Sequence, residues 1–203
     1  MKSENLKDWE HIGELLHPDF DEEKLGVKKE EDISCPNFFK LGDKWVLTCI
    51  SHRLGCRYFI GEFKDEQYLP EYHAVIGGNS RRYFAPESLV TPDGRRVNWS
   101  WFINGNNKDN RGTQSLPTEM RLDSNGQMRF RPIKELEALR YAKKDKNMIK
   151  IKEHSSLLID EIKGDHCEIE VVVTNTGNSS FGIDVLCNDE GKDGLRIKVN
   201  RDK

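Results

Sequence analysis

Three groups of side chains in this sequence have the types and spacing to do chemistry. The first is Glu31-Asp32-Ile33-Ser34-Cys35-Pro36, two carboxylates, a hydroxyl and a thiol directly ahead of a proline. Proline donates no ladder hydrogen bond and restricts the residue before it, so a strand is expected to start after Pro36, with Ser34 and Cys35 in a loop at its mouth. In extended backbone Asp32 faces the same side as Ser34 but about 6 to 7 Å along the chain, and Glu31 faces the other way. Both acids belong to a charged run that reads first as a solvated loop. Cys35 as a nucleophile would need a histidine and an oxyanion site, and His52 is one candidate. The second group is Glu87, Trp99 and Trp101. The tryptophans stand two apart and share a face of any strand they occupy, while Glu87 has Arg95 and Arg96 as alternative partners. The third group is the five cysteines, Cys35, Cys49, Cys56, Cys167 and Cys187, with His52 and His73. They form no Cys-x-x-Cys and no zinc-type spacing, so reduced thiols and no metal are expected.

The elements that must position these groups are short strands. Phe38, Phe39 and Leu41 lead into Gly42-Asp43 and then Trp45-Val46-Leu47, a hairpin signature. A second hairpin joins 45–51 to 56–63 around Leu54-Gly55, with Val46, Thr48 and Ile50 and then Tyr58, Ile60 and Glu62 keeping the period of half-buried strands. Further strands are expected at 67–72, 83–84, 88–91 and 97–103, the last two joined by a Pro92-Asp93-Gly94 turn, and at 128–131. Short strands with turns at this spacing point to a sandwich, barrel or propeller blade, and the four-stranded blade fits best. Pro132 stands at a helix start, with Ile133, Leu136 and Leu139 or Arg140 at helical spacing. After the charged stretch 143–146 the pattern changes to longer alternating strands at 157–162, 167–174, 181–186 and 195–199. Residues 1–32, rich in Asp, Glu and Lys, read as a solvated loop, in which Gly13 and Pro18 argue against a long helix.

Composition excludes several function classes. The 203 residues carry 32 basic and 35 acidic side chains, a formal charge of −3, which provides neither a basic field for nucleic acid nor a polybasic membrane patch. No apolar run approaches the ~20 residues of a membrane helix, and the opening residues lack a signal peptide's apolar stretch, so a soluble cytoplasmic chain is expected. Hydrophobic residues make up 35% and charged ones 33%, which describes a globular but heavily solvated protein.

Several motifs in order, Ser3-x-x-Leu6-x-x-Trp9, Cys35-Pro36, Phe84-Ala-Pro-Glu-Ser88 with Gly94-Arg-Arg96 and the Trp99-x-Trp101 strand, and Ser115-Leu-Pro-Thr-Glu-Met120, resemble glycoside hydrolase family 32, the invertase, levanase and inulinase enzymes. The resemblance implies an all-β chain covering the last blades of a five-bladed β-propeller (1–132), a helical linker (133–146) and the start of an incomplete β-sandwich (147–203). It implies that Ser34 occupies the position of the family's general acid/base glutamate, and that Cys35, Glu87, Trp99 and Trp101 line the sugar site. The tryptophan-methionine-asparagine-aspartate-proline motif of the family nucleophile, and the family's arginine-aspartate motif, do not occur in the propeller stretch 1–132. The expected function is therefore a β-fructoside hydrolase relative that is inactive alone, with no cofactor. The expected partner is a carbohydrate (fructoside), and exposed blade edges favour self-association. The alternatives are a carbohydrate-binding or chain-complementing protein and a small all-β interaction module.

Overall fold

The computed structural model describes residues 1–77, 82–103, 112–174, 177 and 179–200. Residues 104–111, whose sequence reads as a polar loop, lie outside them. The chain divides into two units, Met1–Glu135 and Leu136–Lys203.

In the first unit a one-turn helix, α1 (Glu22–Leu25), is capped by the Asp21 side chain, which accepts from the Lys24 amide, and ends on Gly26 at φ 64°. Four strands follow, β1 (Ser34–Leu41), β2 (Lys44–Ser51), β3 (Gly55–Lys64) and β4 (Gln67–Val75), paired antiparallel in that order. Gly42, at φ 63°, makes the two-residue turn between β1 and β2. A second antiparallel sheet holds β5 (Tyr83–Val90), β6 (Arg96–Phe102), β7 (Thr113–Gln114), β8 (Thr118–Leu122) and β9 (Met128–Pro132). Its order is β5-β6-β8-β9, with β7 on the far end of β6.

Both hairpin turns lie where the sequence places them, but β1 does not start after Pro36. It starts at Ser34, which pairs with Ile50, and the pairing resumes at Asn37 opposite Thr48. Cys35 and Pro36 sit in a bulge, with Cys35 at φ 49°. The bulge takes the proline out of the ladder, so no donor is missed and the strand begins before it. Residues 83–84 and 88–91 likewise belong to one strand rather than two, interrupted by a bulge between Phe84 and Glu87 with Ala85 at φ 44°.

β2 and β3 are buried on both faces rather than half-buried. One face packs against the second sheet: Phe39, Val46, Cys56, Tyr58 and Ile60 meet Met120 and Met128. The other packs against the N-terminal segment, where Phe20, Leu25 and Val27 meet Leu47, Cys49, Phe59 and Tyr68. Residues 16–27 are therefore not a solvated loop. Their charged side chains face outward while three apolar ones close the core, each contributing about 1.5–3 kcal/mol by leaving water. The same segment covers the outer edge of β4, where the Tyr68 amide donates to Leu15 O and the His17 amide to Tyr68 O.

The second unit begins within a 3₁₀ helix (Lys134–Leu139) and contains the antiparallel pair β10 (Phe181–Val185) and β11 (Leu195–Val199). The strands expected at 157–162 and 167–174 do not form. Ile169, Val171, Val172 and Val173 are exposed, so the alternation that marks them has no layer to bury against.

Candidate functional site

The segment before Ser34 is pinned from beneath. Arg57 on β3 is fully buried, and its Nη2 donates to the backbone oxygens of Glu31 (3.2 Å) and Asp32 (2.5 Å). With the backbone fixed, Asp32 reaches back rather than along the strand. Ser34 Oγ donates to Asp32 Oδ1 at 2.6 Å, and Asp32 Oδ2 meets His52 Nδ1 at 2.5 Å and accepts from the His52 amide at 3.1 Å. The 6–7 Å separation expected from extended backbone is thus closed by side-chain reach. The Ser34 hydroxyl, then the His52 ring and amide, hold the Asp32 carboxyl down to about 2. Glu31 is held below the usual carboxylate range as well, by Arg53 and then by the Ser51 hydroxyl. Both acids are ionised near neutrality and committed to partners, and neither has a proton to give. His52 Nδ1 is engaged by Asp32, and among the described residues no hydrogen bond joins His52 to Cys35, which is exposed in its bulge.

The second group does come together. Glu87 on β5 pairs across the ladder with Trp99 on β6, and Phe84 with Trp101. Ala85, Glu87, Trp99, Ser100, Trp101 and Gln114 line one open depression of about 290 Å³. Glu87 is exposed there, while Arg95 is engaged by Asp93 and Glu135, and Arg96 by Ser88. Trp101 rests against Gly112, where an added Cβ would lie 1.3 Å from the indole Nε1. A glycine at 112 is what lets the indole lie flat at the rim.

Ser34 and Cys35 do not line that depression, but their strand is tied to it. Ser88 Oγ donates to Asn37 Oδ1 at 2.5 Å, Arg96 Nη1 donates to Ser88 Oγ at 2.8 Å, and the Arg96 guanidinium lies 3.8 Å over the Phe39 ring. β1 and β5 are thereby the adjoining first strands of the two sheets, each with a positive-φ residue and a proline in its bulge. Asn37 and Gln114 were not singled out by sequence reasoning, which named Ser88 only within a motif and Arg96 only within a motif or as a partner for Glu87. The signal available was the recurrence of Cys35-Pro36-Asn37 and Ala85-Pro86-Glu87, which marks equivalent positions in the two sheets. A second depression, lined by Glu22, Glu23, Gly26, Val27, Lys28 and Arg53, carries both charge signs and none of the groups expected to do chemistry.

The carboxylate lies on bulged β5 and the two indoles on its ladder partner β6, beside the bulged first strand of the other sheet. Residues 1–132 match the model described as "Glycosyl hydrolases family 32 N-terminal domain". The chain belongs to glycoside hydrolase family 32. It is 28% identical over 171 residues to the sucrose-6-phosphate hydrolase of Salmonella typhimurium, covering 69% of this chain and 34% of that protein. Among solved structures it is similar to sucrose-6-phosphate hydrolase from Lactobacillus gasseri, with a TM-score of 0.56 and 15% identity over 83% of this chain and 37% of that one. It also matches Bombyx mori GH32 beta-fructofuranosidase BmSUC1, with a TM-score of 0.47 and 20% identity over 54% of this chain and 27% of that one. The chain thus spans about a third of the length of these two sucrose-6-phosphate hydrolases. The all-β sheets of this family-32 chain are open, as in part of a β-propeller.

Proposed function

We propose that this chain is a carbohydrate-facing portion of a family-32 β-fructosidase that recognises a fructoside and does not hydrolyse one by itself. The observation that carries the second half is the hydrogen bond from Ser34 to Asp32. At the position where the family resemblance puts the acid/base glutamate stands a hydroxyl, and the one carboxylate touching it is held ionised, far below the ~6–7 at which a glycosidase acid is tuned. A retaining glycosidase further needs two carboxyl groups about 5–5.5 Å apart, and the family's two aspartate motifs do not occur in residues 1–132.

The recognition half rests on the depression. Glu87 offers an acceptor for sugar hydroxyls, Trp101 and Trp99 offer apolar faces on which a sugar ring can stack, and Ala85 and Gln114 complete the wall. Cys35 does not line this depression, and its place at the sugar site rests on the family resemblance alone. Sucrose and sucrose 6-phosphate are the ligands suggested by the names of the relatives. On this reading 1–132 is propeller, 133–146 linker and 147–203 the start of a sandwich; the protein acts in the cytoplasm and needs no cofactor, nucleic acid or membrane.

The test is reducing-sugar release from sucrose, sucrose 6-phosphate and inulin by the wild-type chain and by Ser34→Glu, with a full-length family-32 enzyme as positive control. Neither protein is expected to exceed the blank, because restoring a proton donor leaves the nucleophile missing and such residues act as a unit. Turnover by the wild-type chain would mean that Asp32, Glu87 or another carboxylate does the chemistry, and would overturn the proposal.

A further inference from the structure

The seam between the two sheets is divided. Part of it is apolar, with Phe39, Val46, Cys56, Tyr58 and Ile60 against Met120, Met128 and Phe130. Another part is polar, with Asn37 on the first sheet and Ser88, Arg96, Asn98, Ser100 and Thr118 on the second. Asn98 pairs across the ladders with both Ser88 and Thr118, and Arg96 and Ser100 lie two residues to either side of it, so these side chains share one face. That this face meets the first sheet is fixed by the Ser88–Asn37 bond, by Arg96 over Phe39, and by Ser100 Oγ beside the Cys56 thiol.

Asn98 is fully buried and Ser100 is 3% exposed. Yet Arg96 Nε, Asn98 Nδ2, Asn98 Oδ1 and Thr118 Oγ1 are all buried with no hydrogen-bond partner among the described residues, while Ser100 Oγ meets the Cys56 thiol. Native interiors leave few such groups unpaired, and four on one patch of two neighbouring strands is a cluster rather than an accident of packing.

We propose that this polar part of the seam is a built hydration site, in which these four atoms bind a small cluster of ordered water molecules between the sheets. The donor and acceptor inventory selects the ligand. Arg96 Nε and Asn98 Nδ2 only donate, Asn98 Oδ1 only accepts, and the Thr118 hydroxyl does either. An anion would satisfy the donors and be repelled by Oδ1. A cation would be repelled by the guanidinium. Water, which donates and accepts, satisfies all four at once. The cluster joins β6 to β8 on the face that the Ser88–Asn37 bond brings against the first sheet, opposite the face that carries Trp99 and Trp101.

The test is a high-resolution crystal structure of the whole wild-type chain together with oxygen-17 magnetic relaxation dispersion, which counts long-lived internal waters. The expected result is ordered water bonded to both amide atoms of Asn98 and to Thr118 Oγ1, and fewer long-lived waters in Asn98→Leu than in wild type. If Asn98→Leu does not fold, Thr118→Val provides the same comparison. Direct bonds among Asn98, Ser100 and Thr118 with no density between the sheets would overturn the proposal. So would a single halide on Arg96 and Asn98 Nδ2, or an unchanged water count in a folded variant.

Discussion

Strands β2 and β3 and the segment 167–174 are made of the same kinds of residue, β-branched and apolar side chains alternating with polar ones, yet they have opposite fates. Val46, Leu47, Cys49 and Phe59 are at most 1% exposed, whereas Val171, Val172 and Val173 are 54%, 80% and 44% exposed and form no ladder. The difference lies in what faces them. β2 and β3 have a second sheet on one side and residues 16–27 on the other, while 167–174 has neither, and an apolar strand without a layer to bury against gains too little to offset the entropy of ordering it.

That contrast is most easily broken by hydrogen exchange. Amides of β2 and β3 should be protected over those of 167–174 by roughly a thousandfold or more, since the first open only with the sheet and the second are already open. Comparable protection in mass-spectrometric exchange would show that 167–174 finds a partner in solution, and self-association through unpaired segments is the outlet the contrast favours.

Two glycines sharpen it. A Cβ at Gly61, in the buried stretch of β3, would lie 2.1 Å from Leu69 O and 2.8 Å from Pro70 Cα, backbone atoms of the paired strand β4. Gly61→Ala should therefore cost about 3 kcal/mol in urea unfolding followed by tryptophan fluorescence. A Cβ at Gly182 would lie 2.7 Å from Ile197 O, but β11 is exposed along its length, and Gly182→Ala should change the same transition by less than about 0.5 kcal/mol. Equal costs would remove the distinction between the regions.

Acid should find the packed unit through His73. Its ring lies against Phe59, its Nδ1 bonds Leu25 O, and burial, followed by the nearby Arg57 charge, holds its pKa down to about 4 from an unfolded value near 6.5. Between these values the unfolded chain takes up a proton that the folded chain refuses. The stability is therefore present above about pH 6.5 and falls as pH drops through 4, by on the order of 2 kcal/mol. His73→Phe should flatten that dependence in thermal melts from pH 7 to 4. A parallel decline in both proteins would assign the acid sensitivity elsewhere.

The smallest expected effect on stability is at the rim. In Gly112→Ala the new Cβ displaces the Trp101 indole, which is 45% exposed and can swing into solvent. Stability should change by less than about 1 kcal/mol while the Trp101 emission maximum shifts. A large loss of stability with unchanged emission would mean that Trp101 is core rather than wall.

Most strands of the two sheets were legible because hairpin glycines and period-2 alternation are local signals. Where reading failed, the deciding contact was distant. The proline at 36 reads as a strand stop until a bulge takes it out of the ladder, residues 16–27 read as solvated until Phe20, Leu25 and Val27 meet the back of the sheet, and 167–174 reads as a strand because alternation says nothing about a missing layer. The site divides in the same way. Glu87, Trp99 and Trp101 converge through ladder pairing, which follows from the hairpin, whereas the Asp32–Ser34–His52 cluster depends on Arg57 drawing in the backbone from two strands away.

The central claim, recognition without turnover, is tested most directly by titrating sucrose into the wild-type chain while following tryptophan fluorescence and free reducing sugar in the same sample. The account predicts a saturable fluorescence change that is absent in Trp101→Ala and no sugar released in either protein. Sugar release, or a response unaltered by the loss of Trp101, would contradict it.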